Sequence, residues 1–223
     1  MKRSEINRLI REASDFFGKR QFLLPPFACW KADDWQRNAA AVGEIRRAGL
    51  GWDITDFGSG EFYRMGLILF TIRNGIPNDP KSKTYCEKVM MVREDQVTPM
   101  HFHFQKMEDI INRGGGRLAL RFYWADDMQG LDQSRPVELN TDGVARKLLP
   151  GEVLVLEPGE SVTIPQRIYH DFWAVRGSGP VMAGEVSSVN DDKADNRFLE
   201  ALGRFPKIEE DEPAAFLLCS EYP

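Results

Sequence analysis

Apolar residues recur at helical spacing only near the start of the chain. Ile6, Leu9, Ile10, Ala13, Phe16 and Phe17 form one stripe, which predicts a helix capped by Ser4 and stopped by Gly18. Pro25-Pro26 then forces an extended connection. Trp35, Ala39, Val42 and Ile45 mark a second helix from about Asp34 to Ala48, with Gly49 past its end. From Asp53 onward the period shortens. Short apolar or alternating runs occur at Phe62–Ile72, Tyr85–Arg93, Thr98–Phe104, Arg117–Trp124, Gly151–Leu156, Ser161–Pro165, Tyr169–Val175 and Val181–Ser187. Turn sequences such as Asn74-Gly75, Asp142-Gly143, Pro150-Gly151, Pro158-Gly159 and Gly177-Ser178-Gly179-Pro180 fall between them, the rhythm of an all-β sandwich or barrel. After Ser188 the pattern turns polar, with a short helix predicted over Asn196 to Leu202, an acidic stretch over Lys207 to Glu212 and an apolar Ala214–Cys219 run. The expectation is a mainly β fold in one domain: helical wrapping over about 1–50, a β core over about 53–188, and a C-terminal extension with a short helical segment over about 189–223.

Composition supports a folded core and narrows the partners. The chain of 223 residues is 42% hydrophobic and 28% charged, too apolar for disorder. Its 29 Lys and Arg against 34 Asp and Glu give a net charge of −5 with no basic stripe, which argues against nucleic acid. The start carries charge where a secretory h-region would be unbroken, and runs such as Met65–Phe70 are too short to span a bilayer. A cytoplasmic protein with no membrane partner is expected. Cys29, Cys86 and Cys219 are odd in number and widely spaced, so buried, reduced thiols are expected rather than a disulfide framework or zinc ribbon.

Candidate chemistry centres on the histidines, of which the chain has three. Strand alternation points His101 and His103 to one face, a bidentate platform for a metal. A tight turn at Gln105-Lys106 would bring Glu108 opposite His103 on the next strand. His170 lies in another strand-like run, Ile168–Trp173. Three imidazoles and one carboxylate make a mixed N/O site for Mn, Fe, Ni, Co or Zn, with open positions for substrate oxygens.

The spacing His101-x-His103-x4-Glu108-x6-Gly115, together with Gly159, Pro165 and His170 at matching intervals, resembles the two motifs of the cupin superfamily. Arg167 and Ala174 stand where the second motif has glycine and asparagine, and Asp95 where the first usually has glycine. None of these positions supplies a ligand. The resemblance implies a jelly-roll barrel with a metal in its mouth and, since cupins commonly pair through their sheets, a homodimer. The run Lys106–Gly116, the segment Glu185–Asp192, the length and the helical N-terminus are similar to the D-lyxose isomerase family of cupin sugar isomerases. That family implies reversible aldose–ketose isomerisation of a small-molecule sugar, D-lyxose to D-xylulose and often D-mannose to D-fructose, with Mn²⁺ preferred.

Such a reaction moves a proton between neighbouring carbons through an enediol, so it needs a base that is not itself a ligand. Glu185 is the candidate: a hairpin turn at Gly177-Ser178 would set it across from His170 on the inward face. Without the resemblance, a solvent-facing glutamate explains it as well. Lys106 could donate a proton or hydrogen bond to a sugar oxygen. Lys88, on the strand face of Cys86 and Met90, requires a polar cavity and is a candidate substrate contact, as is Asp192. A cupin oxygenase with the same ligands, or a non-catalytic sugar-binding cupin, are the rival readings.

Overall fold

The computed structural model describes residues 1–192, 194–203 and 206–223 and is mainly β. Helix α1 spans Arg3–Gly18, and the short helices α2 and α3 span Ala32–Arg37 and Gly43–Arg47. The strands follow in order: β1 Gly51–Thr55, β2 Leu67–Arg73, β3 Tyr85–Val92, β4 Thr98–His103, β5 Glu108–Gly115, β6 Leu118–Ala125 and β7 Leu131–Asp132. Then come β8 Val137–Thr141, β9 Val144–Leu148, β10 Val153–Leu156, β11 Ser161–Ile164, β12 Ile168–Ala174, β13 Val181–Ser188 and β14 Asn196–Phe198. They form an eight-stranded sheet, ordered β1-β2-β3-β13-β5-β11-β8-β9, and a six-stranded sheet made of the path β10-β6-β12-β4-β14 with β7 beside β6. The expected curled β architecture is therefore present. No helix among the described residues is long and apolar enough to cross a membrane.

Two apolar layers explain the strand sequences. Leu67, Leu69, Met90, Val92, Ile110, Leu120, Phe122 and Phe172 fill the space between the sheets. The alternate residues of β2 and β3, Ile68, Phe70, Val89 and Met91, pack on the outer face with Ile6, Leu9, Ile10, Ala13 and Phe17 of α1. Both faces of these strands are thus covered, which is why β2 reads as a continuous apolar run. Each fully buried large side chain contributes about 1.5–3 kcal/mol, so the amphipathic stripe of α1 anchors it firmly.

The acidic stretch near the C-terminus does what Ser4 was expected to do. Helix α1 starts at Arg3 after Lys2, and no side-chain cap comes from within the helix start. Instead Asp211 accepts hydrogen bonds from the Ser4 backbone N–H at 2.9 Å and the Ser4 hydroxyl at 2.6 Å, and the Glu209 carbonyl accepts from Arg3 N–H at 2.8 Å. Arg3, buried, pairs with Glu210 and Glu221. The Asp211 carboxylate and the Glu209 carbonyl thus satisfy two orphan donors of the first turn, and the carboxylate complements its dipole.

Three other expectations are corrected. The second predicted helix is broken between α2 and α3, because the Asn38 amide donates to the Asp34 carbonyl at 2.8 Å and competes with helix continuation. Asn196–Leu202 is not helical: Asn196–Phe198 is β14, drawn onto the edge of β4 with Asn196 opposite His103 and Phe198 opposite His101. Pairing with an open strand edge outweighs weak local propensity. Of the cysteines only Cys86 is buried, and burial pushes its thiol up to about 12; Cys29 is exposed and Cys219 half-buried.

Asn7 ties the tail to the helix. Fully buried, it donates to Glu212 at 2.6 Å and the Pro213 carbonyl at 3.0 Å and accepts from Ala215 N–H at 2.9 Å. Asn7→Ala is expected to lower stability by about 1–3 kcal/mol, measured as a reduced urea midpoint with unchanged slope.

Candidate active site

Strand alternation places His101 and His103 on the inner face of β4, with Phe102 pointing away into an aromatic contact with Tyr169. His170, on β12, is the ladder partner of His101, and their rings lie 4.2 Å apart between centroids. Glu108 opens β5 and reaches the histidines from the facing sheet. It is therefore not a hairpin neighbour of His103, as the sequence suggested: the 104–107 segment carries the chain from one sheet to the other. Asp195 pins that segment, its carboxylate accepting from Gln105 N–H at 2.7 Å and Lys106 N–H at 2.9 Å.

The four donors His101, His103, Glu108 and His170 are all buried, with one ligand atom from each lying within 4.8 Å of the others. His101 Nδ1 and His170 Nδ1 face the carbonyls of Pro99 and Ile168 at 2.8 and 3.1 Å. A carbonyl only accepts, so Nδ1 carries the proton and Nε2 keeps its lone pair for the centre. Burial, with the neighbouring histidines, pushes His101 well below the ordinary imidazole range, and burial also lowers His103. Burial works to raise Glu108, but Lys106 and then His103 and His170 outweigh it and hold the carboxylate well below its usual range. Glu108 Oε1 lies 2.9 Å from His170 Nε2 and 3.3 Å from His103 Nε2, yet it and both ring nitrogens of His103 have no hydrogen-bond partner. Buried polar atoms left unpaired are costly. Converging neutral imidazoles and an ionised carboxylate fit a divalent cation and could hold one.

Beside this cluster runs a buried chain of alternating charge. Lys106 Nζ lies 2.8 Å from Glu108 Oε2 and 2.9 Å from Glu185 Oε1. Lys88 Nζ donates to Glu185 Oε1 and Oε2 at 3.0 and 3.3 Å and to Asn190 Oδ1 at 2.9 Å, and the Ser187 hydroxyl donates to Glu185 at 3.2 Å. Burial opposes charging each lysine, but the glutamates prevail and both pKa values are raised. Burial opposes Glu185 as well, and Lys106 and Lys88 still hold it below its usual range.

The expected position of Glu185 is also corrected. It pairs with Lys88 on β3 and Ile110 on β5, not with His170, because the Gly177-Ser178 turn passes the chain between sheets instead of closing a hairpin. The site gains it all the same. Asp192 lines the same cavity as the histidines, Lys88, Lys106 and Glu185. Sequence reasoning missed Asn190, Asp195 and Thr71, since two sit in an Asn/Asp-rich segment that reads as a solvated turn and the third looks like any strand threonine. The motif departures leave the turns intact: Arg167 and Asp95 adopt the left-handed backbone, φ 62° and 57°, in place of glycine, at a cost of about 1–2 kcal/mol each.

The sequence matches the D-lyxose isomerase family over residues 1–222. The chain belongs to that family. Relatives within it include a D-lyxose/D-mannose isomerase of Serratia proteamaculans, 48% identical over 224 residues, covering 100% of this chain and 98% of the relative. A D-lyxose/D-mannose isomerase of Escherichia coli O157:H7 matches with the same identity and coverage. In fold, the chain is similar to an L-ribose isomerase of Cellulomonas parahominis at a TM-score of 0.63 and 16% identity, covering 94% of this chain and 98% of that one. The D-lyxose isomerase family membership makes this protein an aldose–ketose sugar isomerase, and the buried cluster is its candidate centre.

Lys106→Met would leave Glu108 and Glu185 buried without their shared cation. A loss of about 3–5 kcal/mol is expected, read by chemical denaturation of the metal-free protein.

Proposed function

We propose that the protein is a divalent-metal-dependent isomerase that interconverts D-lyxose and D-xylulose, and D-mannose and D-fructose, with Mn²⁺ as the preferred ion. The observation that carries this reading is the placement of Glu185, an ionised carboxylate outside the ligand cluster and joined to it by one lysine. His101, His103, Glu108 and His170 would hold the ion, which supplies electrophilic stabilisation of charge developing on the sugar's C1 and C2 oxygens; Co, Ni, Fe or Zn also suit these donors.

The chain's own residues do the proton work. Glu185 accepts a proton from C2 of the aldose and returns it to C1, through an enediol formed as the O2 hydroxyl proton passes to O1. Its ionised form is required for the first half, and Lys88 and Lys106 keep it in that form. Lys106 also donates a hydrogen bond towards the reacting oxygen as negative charge grows there. Lys88 and Asp192 contact sugar hydroxyls. The surrounding apolar walls, Leu69, Met90, Ile110 and Phe172 among them, exclude water and strengthen these interactions.

Incubation with Mn²⁺ and D-lyxose is expected to give D-xylulose. No ketose from any pentose or hexose would overturn the reading, and oxygen uptake during turnover would replace it with an oxygenase. Glu185→Gln is expected to lower kcat by roughly 10²–10⁴-fold while elemental analysis still finds bound metal. Chelation should abolish turnover and lower the thermal midpoint, with both restored by Mn²⁺.

A further inference from the structure

The cavity that holds the reacting groups is small. Its free volume is about 60 Å³, against roughly 10–15 Å³ for one water. That is room for a few waters, close to the size of the carbonyl end of a sugar. A second cavity of about 850 Å³ adjoins it, and Thr71, Asn190 and Asp192 stand in the walls of both.

Strand register places the two side by side along one face of the eight-stranded sheet. In the β1–β2 ladder Asp53 is opposite Leu69, so both side chains point to the inner side of the sheet, as does Thr71 two residues on. Leu69 and Thr71 line the inner chamber, while Asp53 and Thr71 line the outer cavity. The outer cavity thus lies beside the inner chamber on the β1 side of Thr71, and Ser220 is among the residues that line it.

The shared wall at Asn190 is held in place. Asn190 is held by the Asn74 side chain, which accepts from its N–H at 3.0 Å and donates to its carbonyl at 3.1 Å, and Asn74 also donates to the Ala48 carbonyl at 3.2 Å. The Asn190 side chain in turn accepts from Lys88. A hydroxyl, an amide and a carboxylate shared by the walls of both cavities match the alternating donors and acceptors of a polyol chain.

We propose that the outer cavity is a subsite for the far end of the sugar. This rests on the isomerase reading above. The carbonyl end occupies the inner chamber, the remaining carbons pass between Thr71, Asn190 and Asp192, and a group attached to the terminal oxygen extends towards Ser220. The substrate class is accordingly wider than free pentoses and hexoses: it includes aldohexoses substituted on O6, a position that does not take part in the pyranose ring or in the proton transfer.

The metal-loaded enzyme tests this with D-lyxose, D-mannose, 6-O-methyl-D-mannose and 6-O-benzyl-D-mannose. The expected kcat/KM for both substituted sugars is within about ten-fold of that for D-mannose. Conversion of D-mannose with a loss of more than about 100-fold for the 6-O-methyl sugar overturns the subsite. Ser220→Trp should lower the ratio of kcat/KM for the benzyl sugar over D-lyxose by about ten-fold or more, and an unchanged ratio overturns the proposed path. The substituent series on the unmodified enzyme decides the matter if the variant does not fold. Absence of ketose from D-lyxose and D-mannose alike is a different result: it removes the isomerase reading and the subsite with it.

Discussion

Two carboxylates and two ammonium groups lie buried between the sheets, and Lys106 sits where their attractions meet. Its ammonium bridges Glu108, in the histidine cluster, and Glu185, in the cavity beside it. Each of these ions alone would cost several kcal/mol to bury. Together they alternate in sign along Lys88, Glu185, Lys106 and Glu108, so every one faces an opposite charge. The balance fixes protonation states as well as positions, keeping both carboxylates ionised at the centre of an apolar barrel.

Three strands of one sheet and two of the other supply this arrangement. β4 and β12 bring the histidines from the six-stranded sheet, and β3, β5 and β13 bring Lys88, Glu108 and Glu185 from the eight-stranded sheet. Lys106 lies on the crossing between β4 and β5, held by Asp195. The curvature of the sheets thus does more than enclose a core. It sets two polar half-sites face to face, and the loss of the crossing turn would separate them.

Much of this was legible in the residues. Period-two alternation puts His101 and His103 on one face, turn chemistry separates the strands, and the spacing through Glu108 and His170 marks the four donors. What failed failed for tertiary reasons. Glu185 and Glu108 were assigned hairpin partners, because a short turn between two strands looks the same whether it closes a hairpin or crosses between sheets. The helix expected at Asn196–Leu202 lost to an open strand edge. The cap expected from Ser4 came instead from Asp211, more than two hundred residues away in the chain. Asn190 and Asp195 carry no local signal, since their importance lies in the groups that the fold delivers to them.

The account rests on Glu185 moving a proton, as opposed to a hydrogen passing directly between C2 and C1 as hydride. Isomerisation of D-lyxose in D₂O distinguishes the two. A carboxylate that takes up the C2 proton exchanges it with solvent during at least part of its lifetime, so the D-xylulose formed is predicted to carry deuterium at C1. Ketose formed with the C2 hydrogen fully retained at C1, and no label from solvent, would contradict the account.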